Sequence, residues 1–291
     1  MYDGTSPSDR PGENNPLQRA PSLQRAKGRA RITVGATGGK TRLDDLYQDG
    51  CAKVRLPKVY GPEGRDPGVE AVLLNTAGGL TGGDVYATEA EAGDGSHLTL
   101  TTQACERVYR AASGIARVET RLSAGPGACL NWLPQETILF DGGALDRALH
   151  VDLAEDASFL AVEALALGRL ASGETVTAGT FQDTWRVRRG GKLIYADAAR
   201  LVGDIDGIAA GPATLAGMNA MATVAFAAPE AEARLDNARA VLDDLATAGA
   251  SALPGVLVCR LVAPDTQTLR KTLVPLLAAL AGRDLPRVWH L

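Results

Sequence analysis

Side chains able to carry out chemistry are few in this chain, and the most unusual is Glu163. It is the only charged residue in Ser158–Leu167 (SFLAVEALAL), a run that is otherwise almost wholly apolar. On strand alternation it shares a face with Phe159, Ala161, Leu165 and Leu167. Burying an unpaired carboxylate costs roughly several kcal/mol, so such a group needs an arginine, a water, an ion or a proton. Asp197 in Leu193–Leu201 (LIYADAARL) and Asp84 at the end of NTAGGLTGGD pose the same question. Arg107, Arg169 and Arg200 are the candidate structural partners. Glu136 and Asp141, in NWLPQETILFDGG, make a carboxylate pair of the kind that a β-rich hydrolase or lyase would use.

Other catalytic signatures are missing. Gly35–Thr41 reads GATGGKT, but a phosphate-binding loop of the GxxxxGK[ST] type needs glycine where Val34 stands. The spacing is one residue short, and Arg42–Tyr47 is too polar and short for the helix that should follow. A turn between two strands is the better reading. There is no HExxH and no GxSxG. His97, His150 and His290 lie far apart, as do Cys51, Cys105, Cys129 and Cys259, so neither a zinc site nor a disulfide framework is expected.

The elements that must position these groups are mainly strands. Short apolar runs alternate with Gly, Asp, Pro and Ser clusters: Ala30–Val34, Val69–Asn75, His97–Thr102, Ala116–Leu122, Thr137–Phe140, Leu149–Leu153, Ser158–Leu165, Phe181–Arg188 and Leu193–Ala196. The last third changes character. Ala222–Ala227 and Val256–Val262 read as strands. Pro229–Ala248 and Thr266–Ala281 have helical spacing, with Gly249 and Gly282 as stops and Asp265 as an N-cap. The expected fold is mainly β, with stacked or helically arranged strands and a C-terminal β-α-β-α unit. Residues 1–27 read as a disordered tail and 28–291 as a single domain, β-rich over 28–215 and α/β over 216–291.

Composition sets limits. The formal net charge of −4 argues against a nucleic-acid binder, and aromatics at 4% against 45% hydrophobic residues imply a core of small aliphatic side chains. No apolar run approaches the ~18 residues of a membrane span, and no signal sequence opens the chain, so a cytoplasmic location is expected.

The ordered series GGLTGGD, TTQACERVYR, WLPQETILF, LGRLASGE and the terminal LPRVW resembles the UreD (UreH) family of urease accessory proteins over roughly residues 30 to 289. The residues carrying the resemblance are Gly78, Gly79, Gly82, Gly83, Arg107, Tyr109, Pro134, Gln135, Glu136, Gly168, Arg169, Gly173 and Glu174. Where the family often has lysine, this chain has Arg107, which keeps the charge. The resemblance implies a non-catalytic scaffold that joins apo-urease, UreF and the GTPase UreG in a hetero-oligomer. It implies a mainly β fold with two C-terminal helices, no tightly bound cofactor, and transient nickel on an internal route. On that reading Asp84 is the expected mouth of the route, Glu163 its interior and Asp197 a further station. Oxygen ligands suit a hydrated divalent ion in transit better than a soft-ligand trap does. Structural pairing with an arginine is the competing expectation for each carboxylate.

Overall fold

The computed structural model describes Met1 and residues 24–61, 66–169 and 172–290. In chain order the strands are β1 (Lys27–Thr37), β2 (Lys40–Gly50), β3 (Ala52–Arg55), β4 (Val69–Asn75), β5 (Val85–Ala92), β6 (His97–Thr102), β7 (Glu106–Val108), β8 (Ala116–Ala124) and β9 (Cys129–Leu133). They continue as β10 (Thr137–Leu139), β11 (Ala144–Leu153), β12 (Ser158–Leu167), β13 (Ala178–Arg189) and β14 (Lys192–Asp204). Helix α1 (Ile205–Ala210) precedes β15 (Ala220–Ala227), α2 (Leu235–Leu242), β16 (Ala248–Leu253), β17 (Val256–Ala263) and α3 (Thr266–Ala281).

From β4 to β13 the chain winds like a solenoid. Successive long strands alternate between two sheets, so β5, β8, β11 and β13 lie parallel in one while β4, β6, β9 and β12 lie parallel in the other. Parallel neighbours need a crossover; here the opposite sheet supplies it. The first sheet is completed by β1, β2 and β14, and the second by β3, β15, β16 and β17, with β10 beside β12 and β7 beside β10.

Two apolar layers result. One fills the space between the sheets, with Leu98, Leu130, Phe159, Leu149, Phe181 and Trp185 among its members. The other lies between the outer face of the second sheet and the helices, where Leu160, Val162 and Val224 meet Leu269, Leu273 and Leu277 of α3. Strand β12 is therefore covered on both faces, which is why SFLAVEALAL has no polar alternation. The first sheet's outer face carries Arg31, Glu89, Arg121 and Asp152, and its strands alternate accordingly.

Several expectations need correction. Pro229–Ala248 is not one helix: a 3-10 turn over Ala231–Arg234 leads into α2, which ends at Leu242. Gly249 is not its stop but lies inside β16, opposite Arg260 of β17. Pairing with β17 overrides the helical spacing there, and Pro254–Gly255, with Gly255 at φ 71°, makes the tight turn of that hairpin. The C-terminal unit keeps its β-α-β-α order as β15, α2, β17 and α3, with β16 added as the hairpin partner of β17. Leu242 is buried as the helical face requires, while Leu235 and Leu245 are half-buried. Helix α1, capped by Asp204, was not expected. The second strand expected around the Gly35–Thr41 turn is β2, a polar edge strand whose charges protect its open side. Most of the expected tail, residues 2–23, lies outside the described residues; at its end Lys27 already belongs to β1. Helix α3 matches in both bounds, with the Asp265 carboxylate accepting from Thr268 N and Gly282 left-handed at φ 61°.

GATGGKT is a hairpin tip. Gly38 and Gly39, both at positive φ, join β1 to β2. Thr41 donates its amide and hydroxyl to the Asp66 carboxylate at 3.0 and 2.5 Å, so these donors are already engaged within the chain.

Among the described residues, no helix is long and apolar enough to cross a membrane.

Candidate functional site

Three successive coils bend at the same level of the solenoid. After β4 the chain turns out at Asn75–Gly79; after β6 it turns at Gln103–Cys105; after β9 it turns at Pro134–Glu136. Strand β12 alone runs straight through. Its first half pairs with β9, the last pair being Ala161 with Trp132, and its end pairs with β10, starting at Leu165 with Thr137. Glu163 sits where the two pairings part. The splayed wall leaves a cavity of about 300 Å³ between the sheets.

The bends that frame this cavity are the glycine-rich, TTQACE and LPQE motifs. Asn75, Gly78, Gln103, Glu106, Arg107 and Gln135 all border it. Gly79 shows why a glycine is required at the first bend: its φ is 149°, and a Cβ there would stand 2.3 Å from the Tyr109 ring and 2.8 Å from the Arg107 carbonyl oxygen. The Tyr109 hydroxyl donates to Gly78 O at 3.2 Å. Glu136 is 1% exposed and is held by Arg270 of α3 at 2.9 Å, while Arg270 also donates to Gln135 Oε1 and Trp289 O. The terminal LPRVW thus locks onto WLPQET through Arg270 and through the Trp289 indole, which donates to Leu133 O at 3.1 Å.

On the first sheet the cavity wall carries Thr88 and Thr120, register partners, and beyond them Arg147. Arg147 lies buried between two carboxylates, Glu163 Oε2 at 2.5 Å and Asp183 Oδ2 at 2.8 Å, and donates to the Thr137 hydroxyl at 3.1 Å. Trp132 Nε1 donates to Glu163 at 2.8 Å and Trp185 Nε1 to Asp183 at 3.2 Å. Burial pushes the Glu163 carboxyl up to about 7; Arg147 and Trp132 pull it back, and Asp183 raises it further. At the mouth, Glu106 accepts from Asn75 Nδ2 at 3.1 and 3.3 Å, and burial raises its pKa despite those bonds. Burial, reinforced by Glu136, pushes the Cys105 thiol up to about 11, so it stays protonated at neutral pH.

The expected carboxylates fare differently. Glu163 faces the cavity, but its partner is Arg147 and not Arg107, Arg169 or Arg200. Asp84 does not border the cavity: it caps its own loop, accepting from Ala26 N and Thr81 N at 2.8 Å each. The mouth carboxylate is Glu106, which sequence reading passed over because it sits among polar residues. Asp197 pairs with Arg260 of β17 at 2.6 Å, on the far side of the triad from the cavity. Glu174 holds Arg169, and Asp141 accepts from Thr177 and Ala178 while pairing with Arg110. The Arg169 guanidinium stacks on Phe140 at 4.6 Å. Gly168 and Gly173 are left-handed turn positions, as is Gly83, while Gly82 passes close to the Ser113 carbonyl. Glu136 is held by Arg270, and Asp141 by Arg110, Thr177 and Ala178. No cluster of three or more His, Cys, Asp or Glu able to hold a metal occurs among the described residues.

The model of the UreD urease accessory protein family matches residues 26–290. The chain belongs to the UreD family. Relatives named urease accessory protein UreD include that of Agrobacterium fabrum, 49% identical over 92% of both chains. That of Xanthobacter autotrophicus is 51% identical over 91% of this chain and 90% of its own. That of Rhizobium etli is 50% identical over 92% and 96%. The UreD resemblance seen in the motifs thus extends over residues 26–290, and three of those motifs are the bends that open the interior.

Proposed function

We propose that this UreD-family chain is a non-catalytic scaffold of urease maturation: it binds apo-urease and the accessory proteins UreF and UreG, and nickel passes through its interior as cargo. The observation that supports the passage is the cavity itself, framed by three family motifs and bordered by the oxygen donors of Thr88, Thr120, Glu106 and Glu163. A hydrated divalent ion needs such oxygens, since an apolar interior without them makes desolvation prohibitive. The donors are few and separated, so they suit transit better than storage.

Filling the cavity tests this. Thr88→Leu and Thr120→Leu replace hydroxyls by bulk on the same wall. Urease matured with either variant should contain at least about fivefold less nickel, with capture of the partner proteins unchanged. Full nickel loading in both would remove the passage.

A further inference from the structure

We propose that Arg147 is a displaceable plug: its guanidinium separates two polar compartments of the interior, and a divalent cation crosses between them by taking its place between Glu163 and Asp183. This rests on the passage reading above and adds the step that controls it.

The first compartment is the cavity, which ends on Arg147 and Glu163. Polar groups resume on the other side. Asp197 of β14 is the register partner of Trp185, whose indole holds Asp183. Asp197 binds Arg260, Arg260 donates to the Thr223 hydroxyl at 3.3 Å, and Thr223 is the register partner of Glu163. Arg260 has 54% of its side chain exposed, so this second compartment reaches the solvent. The neighbouring levels of the inner faces are closed by Leu145 and Phe181 on one side and by Leu149, Trp185, Trp132 and Ala161 on the other. The triad therefore lies between the cavity and the Arg260–Asp197 pair, with Thr223 and Arg260 on the Glu163 level and Asp197 one level on, beside Trp185.

Charge makes the exchange possible. With both carboxylates ionised, one guanidinium between them leaves a charge of −1, whereas a divalent cation would neutralise both. The fork geometry of arginine holds it in place at rest. A displaced guanidinium also has somewhere to go. Arg147 borders the cavity, and so does Glu106, a carboxylate without an ion pair among the described residues.

The plug reading makes Arg147→Gln a gain-of-binding variant. With the guanidinium gone, Glu163 and Asp183 become a two-carboxylate trap. In the full chain, purified in its complex, this variant should retain about one nickel per chain after desalting and bind nickel at least about tenfold more tightly than wild type. Adding Glu163→Gln should abolish the gain. An Arg147→Gln chain that is folded by circular dichroism yet binds nickel no better than wild type overturns the plug.

If Arg147→Gln does not fold, the wild-type chain still decides. Trp132 and Trp185 donate to the two carboxylates, so paramagnetic nickel entering between them must quench their emission, and Glu163→Gln must weaken the quenching. Unquenched wild-type emission at saturating nickel refutes the exchange. The cavity variants keep the two ideas apart. If Thr88→Leu and Thr120→Leu deliver nickel normally, the passage fails; if they block delivery while the plug tests are negative, the passage stands and the plug falls.

Discussion

Replacing Glu163 by glutamine isolates one buried carboxyl from the charges around it. The carboxyl titrates near 7 in the folded chain against 4.5 as its ordinary value, because burial outweighs the help of Arg147 and Trp132. Between those two pH values the folded chain holds a proton that the unfolded chain has released. Stability must therefore fall as pH rises through this window and level off above about pH 8. The full difference is on the order of 3 kcal/mol. Glutamine is neutral like the protonated carboxyl, and its single Oε1 can still accept from Trp132 Nε1 or from Arg147. The variant should match wild type near pH 5 and exceed it at pH 8.5 by up to that amount. Urea unfolding of both chains from pH 5 to 8.5 measures this. Every other group is common to both chains, so the difference between the curves isolates Glu163. Parallel curves, or a variant less stable than wild type at pH 8.5, would refute the balance of burial over pairing.

Further expectations concern the frame around the cavity. Arg270→Ala leaves the Glu136 carboxylate buried and unpaired and should cost about 3–5 kcal/mol in chemical unfolding; Arg270→Ala with Glu136→Gln should recover part of that loss. Leu277→Ala, at a fully buried position of α3, should cost about 2–5 kcal/mol, and an unchanged melting temperature would contradict the helix packing. Asp265→Ala removes the cap of α3 and should cost about 1 kcal/mol. Isothermal titration should find no micromolar GTP binding by the chain alone, in wild type and Lys40→Ala alike, because the GGKT amide and hydroxyl of Thr41 are taken by Asp66.

The sequence by itself determined the local structure wherever one periodicity acted alone. Val69–Asn75 and His97–Thr102 carry their strand bounds in the residues, and Asp265 with Gly282 carries both ends of α3, because alternation and caps are nearest-neighbour physics. The motifs, read in order, also determined the family. The same reading could tell that Glu163 needed a partner, since a lone carboxylate in an apolar run is costly wherever it lies. Only the tertiary structure decided which partner. Arg147 is 16 residues from Glu163 and on the opposite sheet; the solenoid brings them face to face across the core. Likewise Asp84 could by sequence cap its turn or face a cavity, and the fold put Ala26 N and Thr81 N against it; Glu106 drew no attention until three bends aligned around it. Gly249 became a strand residue because β17 offered it hydrogen bonds that a helix end could not match. Pairings of that kind depend on which strands become neighbours, a property of the stacked coils as a whole and not of any segment within them.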